Sequence, residues 1–221
     1  PLFNTAAGLY LRLTAEMVGD GLAPVGLLSV LKHPLSAGGE VVGDFRQKVR
    51  LLESHILRGP RPGAGTGGIA RAIASALAVQ KKASKERVVE LMTLADWWAG
   101  LAGVIGPFEQ MMARPDASFE DLLIAHIEMA EGLAASHDRT GAERVWRGDA
   151  GEAAAQLIED LHLAAPHLPS LACETYPSLL EVFMGGVTVR PKYGQHPRLN
   201  IWCPLEARLQ CPQLAILGSL N

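Results

Sequence analysis

The chain has 221 residues, 48% of them hydrophobic, with 20 Lys and Arg against 23 Asp and Glu, for a formal net charge of -3. That apolar content at that length can bury a real core and argues against disorder. The slightly acidic balance excludes a nucleic-acid binder that works by bulk charge, although a local basic patch stays open.

From Thr5 to Val18, Leu9, Leu11, Leu13 and Met17 fall around a helix, with Thr5 as N-cap and Gly19 as the stop. A short helix follows from Pro24 to Lys32, ended by His33-Pro34, and Ser36 to Gly43 reads as a Gly-rich loop. Asp44 with Gln47 predicts a capping box that opens a helix carrying Val49, Leu52 and Ile56 as far as Arg58. The segment Gly59 to Gly68 is the most flexible-looking part of the chain. A phosphate-cradling loop would need a Lys after the glycines and a strand before them. Here a helix precedes and no Lys follows, so a surface loop between two helices is expected.

Helices are then predicted over 69–81, 85–112 with a kink at Gly106-Pro107, 119–135 and 150–164. Ser118 with Asp121, and Asp149 with Glu152, supply two capping-box signatures at expected starts. A last helix runs from Pro177 to Met184 and ends at Gly185-Gly186. Nothing up to this point alternates with period two, so residues 5 to 185 read as an all-helical unit of about eight helices. The pattern then changes: Val187 to Arg190, Leu199 to Trp202 and Leu214 to Leu217 have strand character. The expected fold is mainly α, a helical subdomain over 1–185 inserted in an α/β domain, of which 186–221 supply a short β segment. Pro1 at one end and an uncovered apolar strand at the other read as boundaries inside a larger protein.

Little of this sequence looks catalytic. Seven histidines, at 33, 55, 126, 137, 162, 167 and 196, form no His-x-x-x-His or His-Glu-x-x-His, so solvent-facing or capping roles are expected and no metal site. Cys173, Cys203 and Cys211 are odd in number and far apart, which speaks against a disulfide framework or a zinc site. Glu120-Asp121 and Glu159-Asp160 sit on predicted helices, where charges face water. No Gly-x-Ser-x-Gly elbow or Cys and His pair appears, and no catalytic residue or cofactor is assigned. Trp97-Trp98 fits a packing stripe better than a base-stacking platform. Lys81, Lys82, Lys85 and Arg87 form a basic helix junction that usually is only solvated. No apolar run reaches the ~18 residues of a membrane span.

In the tail, Arg190, Lys192, His196 and Arg198 precede a strand, and Glu206 and Arg208 follow it in the elbow Cys203 to Arg208. Charged groups at the end of a sheet strand are where open α/β sheets place ligands. The simpler reading is a Glu206 and Arg208 pair that only locks the elbow.

The run His196 to Gln210, His-Pro-Arg-Leu-Asn-Ile-Trp-Cys-Pro-Leu-Glu-Ala-Arg-Leu-Gln, followed by Leu214 to Asn221, resembles the AddB-type subunits of bacterial AddAB helicase-nucleases. Weaker matches lie at Thr5 to Gly8, Leu31 to Leu35, Glu53 with Arg58 to Pro62, Trp146 to Gly151 and Val189 to Pro191. The family pattern has Gly where this chain has Cys203. The resemblance implies a UvrD-like helicase α/β domain with an inserted helical subdomain, an ATP-dependent helicase and exonuclease parent, and a cytoplasmic role in double-strand break repair by recombination. It implies an AddA-like subunit and DNA as partners and no membrane. The family's ATP-binding loop, nuclease carboxylates and cluster cysteines are not carried by this chain. The expected role is thus a non-catalytic part of the DNA channel and subunit scaffold, with Arg190, His196, Arg198 and Arg208 on the DNA backbone and Glu206 organising Arg208. The alternative is a helical protein-protein interaction module without DNA contact, anchored by Trp97.

Overall fold

In the computed structural model, the structure describes residues 1–79 and 85–189, together with Leu205 and Arg208. Residues 1–189 form one unit and 190–221 a second. The first unit is mainly helical, and its only sheet among the described residues is a two-stranded antiparallel pair, Asp116–Ala117 (β1) with Leu171–Ala172 (β2).

Helix α1, Ala6–Gly19, begins where the Thr5 side chain accepts from the amide of Gly8 at 3.2 Å, as the sequence predicts. The helix ends at Gly19 as expected, but the left-handed residue that closes it is Gly21, two positions on. Gly21 takes φ +64, its amide bonds the Val18 carbonyl at 2.9 Å, and the amide of Leu22 bonds Met17 at 2.8 Å. These are the two reversed bonds of a Schellman cap, and Leu22, buried at the second position past the end, supplies its apolar contact.

Helix α2, Pro24–Leu31, starts on proline. Helix α3, Val42–Leu52, begins two residues before Asp44, so the predicted capping box does not form. The cap position is Val41, and Asp44 instead places its charge in the first turn, where the helix dipole favours it. A π turn, Glu53–Leu57, carries the chain on to Arg58. The predicted loop 36–43 earns its position by pairing. Amides of Ala37 and Gly38 both reach the Leu133 carbonyl at 2.9 Å, and Gly39 reaches Ala135 at 2.7 Å, capping the carbonyls at the end of α6, Phe119–Ala134.

Helix α4, Gly65–Val79, starts four residues earlier than expected, inside the Gly-rich segment. Helix α5, Lys85–Met112, is continuous through Pro107 and is the central helix, packing against α1, α3, α4 and α6. It buries Leu91, Leu94, Trp97, Trp98, Leu101, Ile105 and Phe108. By length and composition alone it could cross a membrane, which its apolar runs did not predict, and a third of its most apolar stretch is buried in this packing. Ser118 caps α6 by accepting from Asp121 at 3.0 Å.

A short helix α7, Gly141–Val145, was not expected, although Thr140 and Glu143 build a full capping box at its start. Helix α8, Gly148–Ala164, is preceded by Arg147 rather than capped by Asp149, and its N-cap makes no side-chain bond. Helix α9, Tyr176–Gly186, closes the unit. Val187 to Val189, expected as strand, pair in no ladder among the described residues; a bond from the Leu2 amide to the Val187 carbonyl at 2.8 Å ties this stretch to the start of the chain. The strands expected at 199–202 and 214–217 lie outside the described residues.

Candidate functional site

Of the tail residues singled out from the sequence, Arg190, His196, Arg198 and Glu206 lie outside the described residues. Arg208 is exposed in a turn, and Leu205 nearby is exposed as well.

The Gly-rich segment has a structural use. The Glu109 carboxylate, from α5, accepts from the Thr66 amide at 3.0 Å and from the Thr66 hydroxyl at 2.6 Å. The Trp98 indole donates to the Thr66 carbonyl at 3.0 Å. A carboxylate thus occupies the N-terminal position at α4 that a phosphate would take. Gly68 is required because a Cβ there would sit 1.8 Å from the Gly63 carbonyl oxygen. The surface-loop expectation therefore holds as far as Ala64, and the last residues of the segment are helix.

A second constellation lies in the core between α1, α6 and α9. His126 is fully buried, with Nε2 2.9 Å from Thr14 Oγ1 and Nδ1 3.0 Å from Tyr176 Oη. Thr14 has one proton, and carbonyls of Tyr10 and Leu11 stand 3.0 and 2.9 Å from its oxygen. The hydroxyl therefore donates to a carbonyl and accepts from His126 Nε2–H, which leaves Nδ1 to accept from the Tyr176 hydroxyl. All three side chains are satisfied in the neutral state. Burial pushes the His126 pKa down to about 3 and raises that of Tyr176. Phe108 and Tyr176 pack their rings around the imidazole at 5.1 and 5.6 Å between centroids. Such a network locks three helices in one register and holds no proton that moves near neutral pH.

This corrects, for two of the histidines, the expectation that they face solvent or cap helices, while His137, His162 and His167 are exposed as expected. His126 is core, and His33 is also buried, with burial lowering its pKa. The signal was present in the sequence: Phe119, Leu122, Leu123, His126, Met129, Ala130 and Leu133 recur at helical spacing, which places His126 inside the apolar stripe.

Other candidates take structural places. Trp98 is buried, and Trp97 at 8% exposure packs edge-on against Phe45 at 5.6 Å, so neither ring is presented to a base and Trp97 is not offered to a partner. Asp121, Glu159 and Asp160 are exposed and Glu120 is half-exposed. Cys173 is a buried free thiol. Among the described residues no group of three His, Cys, Asp or Glu side chains is placed to hold a metal ion. No protein-family model matches the chain, nor does any curated protein or solved structure.

Proposed function

We propose that this chain is a non-catalytic part of an AddB-like helicase-nuclease subunit that processes DNA double-strand breaks for recombinational repair, contributing to the DNA channel and the subunit scaffold. The observation that carries the reading is the run His196 to Gln210, which resembles that family over fifteen consecutive residues. The mainly helical unit that precedes the tail supports it, because an inserted helical subdomain is what the resemblance implies there. Arg190, His196, Arg198 and Arg208 contact the DNA backbone in this reading, with Glu206 orienting Arg208, and an AddA-like subunit is the partner.

The test is the salt dependence of single-stranded DNA binding by the intact complex. Each phosphate contact removed lowers the slope of log K against log salt by about 0.7 for a single strand. Arg198→Ala and Arg208→Ala are each expected to weaken binding and flatten the slope by that amount. An unchanged slope in both variants would sink the DNA role of the tail.

A further inference from the structure

Four cationic side chains converge on one surface groove of the helical unit. The end of α2, one face of α3 and the π turn after it enclose a cavity of about 450 Å³. Leu31 and Val49, each 1% exposed, line it from the core side. Its remaining lining is Lys32, Arg46, Arg50 and Arg58 with a single carboxylate, Glu53. Four cations against one anion leave a local excess of three positive charges on a chain whose net charge is -3.

The charges are not evenly matched. Glu53 is committed to two of them, with Lys32 Nζ at 2.6 Å and Arg58 at 3.4 Å. Arg46 and Arg50 stand one turn apart on α3 and line the same cavity, and among the described residues neither has an ion-pair partner. Like charges brought together repel, and this repulsion is relieved by a ligand carrying more than one negative charge. Arginine forks match the oxygens of phosphate in bidentate fashion. No aromatic ring lines the groove, so it offers no platform for a base, and what it can read is a row of phosphates.

We infer that this groove binds adjacent phosphate groups, held by Arg46 and Arg50, with Lys32 and Arg58 drawn partly away from Glu53 onto the same anion. The inference stands on the groove alone and is independent of the tail. A nucleic-acid strand and a free polyphosphate share this chemistry, and the test separates them.

Fluorescence anisotropy of the 221-residue chain with a labelled oligothymidylate, across a monovalent-salt series that includes 0.1 M, reads the first source. Isothermal titration with inorganic tripolyphosphate, and its competition with the oligonucleotide, read the second. Losing two phosphate contacts removes about 1.4 from the salt slope, which at that salt is a loss of ~25-fold in affinity. The double variant Arg46→Ala/Arg50→Ala is expected to show both changes at an unchanged helical circular-dichroism spectrum, and Arg147→Ala, an exposed arginine elsewhere, neither. Glu53→Gln is expected to tighten binding, because it removes the one carboxylate and releases two cations, a gain that a merely structural role for Glu53 would not produce. Displacement of the oligonucleotide by micromolar tripolyphosphate assigns the groove to free polyphosphate, and resistance to it assigns the groove to a strand; both support the phosphate site. The inference is overturned if neither probe binds, if the double variant binds as the parent does, if Arg147→Ala loses as much, or if Glu53→Gln binds no tighter.

Discussion

Lowering the pH from 8 to 5 tests the buried histidine network most sharply. His126 has a folded pKa of about 3 against an ordinary 6.5. Between those values the unfolded chain binds a proton that the folded one refuses, so stability is whole above pH 6.5 and falls as pH drops toward 3. With ~1.4 kcal/mol per pH unit in the fully linked range, His126 alone removes about 2 kcal/mol at pH 5 relative to pH 8. His33, also lowered by burial, acts in the same direction. The carboxyls held low by hydrogen bonds, Glu53, Asp138 and Glu143, come into play only below about pH 4.5. Urea unfolding of the parent and of His126→Gln at both pH values isolates one residue, because every other titration is shared. The parent is expected to lose about 2 kcal/mol more than the variant on acidification. Equal losses would refute the assignment. Nitrogen NMR of the ring gives a second readout that does not depend on the variant: an Nε2–H tautomer at pH 8 whose signals do not move by pH 5. A ring that titrates near 6.5 contradicts the network.

Glu109→Ala removes both acceptors at the start of α4 and is expected to cost about 1–3 kcal/mol, with faster hydrogen exchange at Thr66 and the amides after it; unchanged exchange there would show that the cap is dispensable. Thr140→Ala breaks the capping box of α7, for about 1 kcal/mol in a thermal or urea melt. Gly141→Ala is expected to cost more, because its Cβ would stand 1.8 Å from the Glu131 carbonyl oxygen and the backbone must shift; a loss of about 1–3 kcal/mol follows, and a neutral result would show that α6 and α7 part easily.

The sequence was most readable where one helix buries one continuous stripe. Helix α5 ends where its periodicity predicts, and α6 falls within one residue of its expected end. Capping signatures were less dependable. Ser118 and Thr5 cap as expected, whereas Asp44 and Asp149 do not, since each helix there starts before the acid and leaves it in the first turn. The Thr140 and Glu143 box went unread because it opens only five residues of helix. The start of α4 was hidden for a different reason. Glycine disfavours helix locally, and a carboxylate forty-three positions away overrides it, a tertiary effect that no local pattern carries. The cationic groove has the same character: Arg46 and Arg50 are visible as neighbours on a helix, but Lys32 and Arg58 join them only through the packing of α2 and the π turn.

The central claim, that this chain lines a DNA path in a two-subunit helicase-nuclease, is tested most directly by crosslinking. A photoreactive residue placed at Arg208, which is exposed, in the intact complex with labelled single-stranded DNA is predicted to capture the strand. Capture of the partner subunit alone, with no label transferred to DNA, would contradict it.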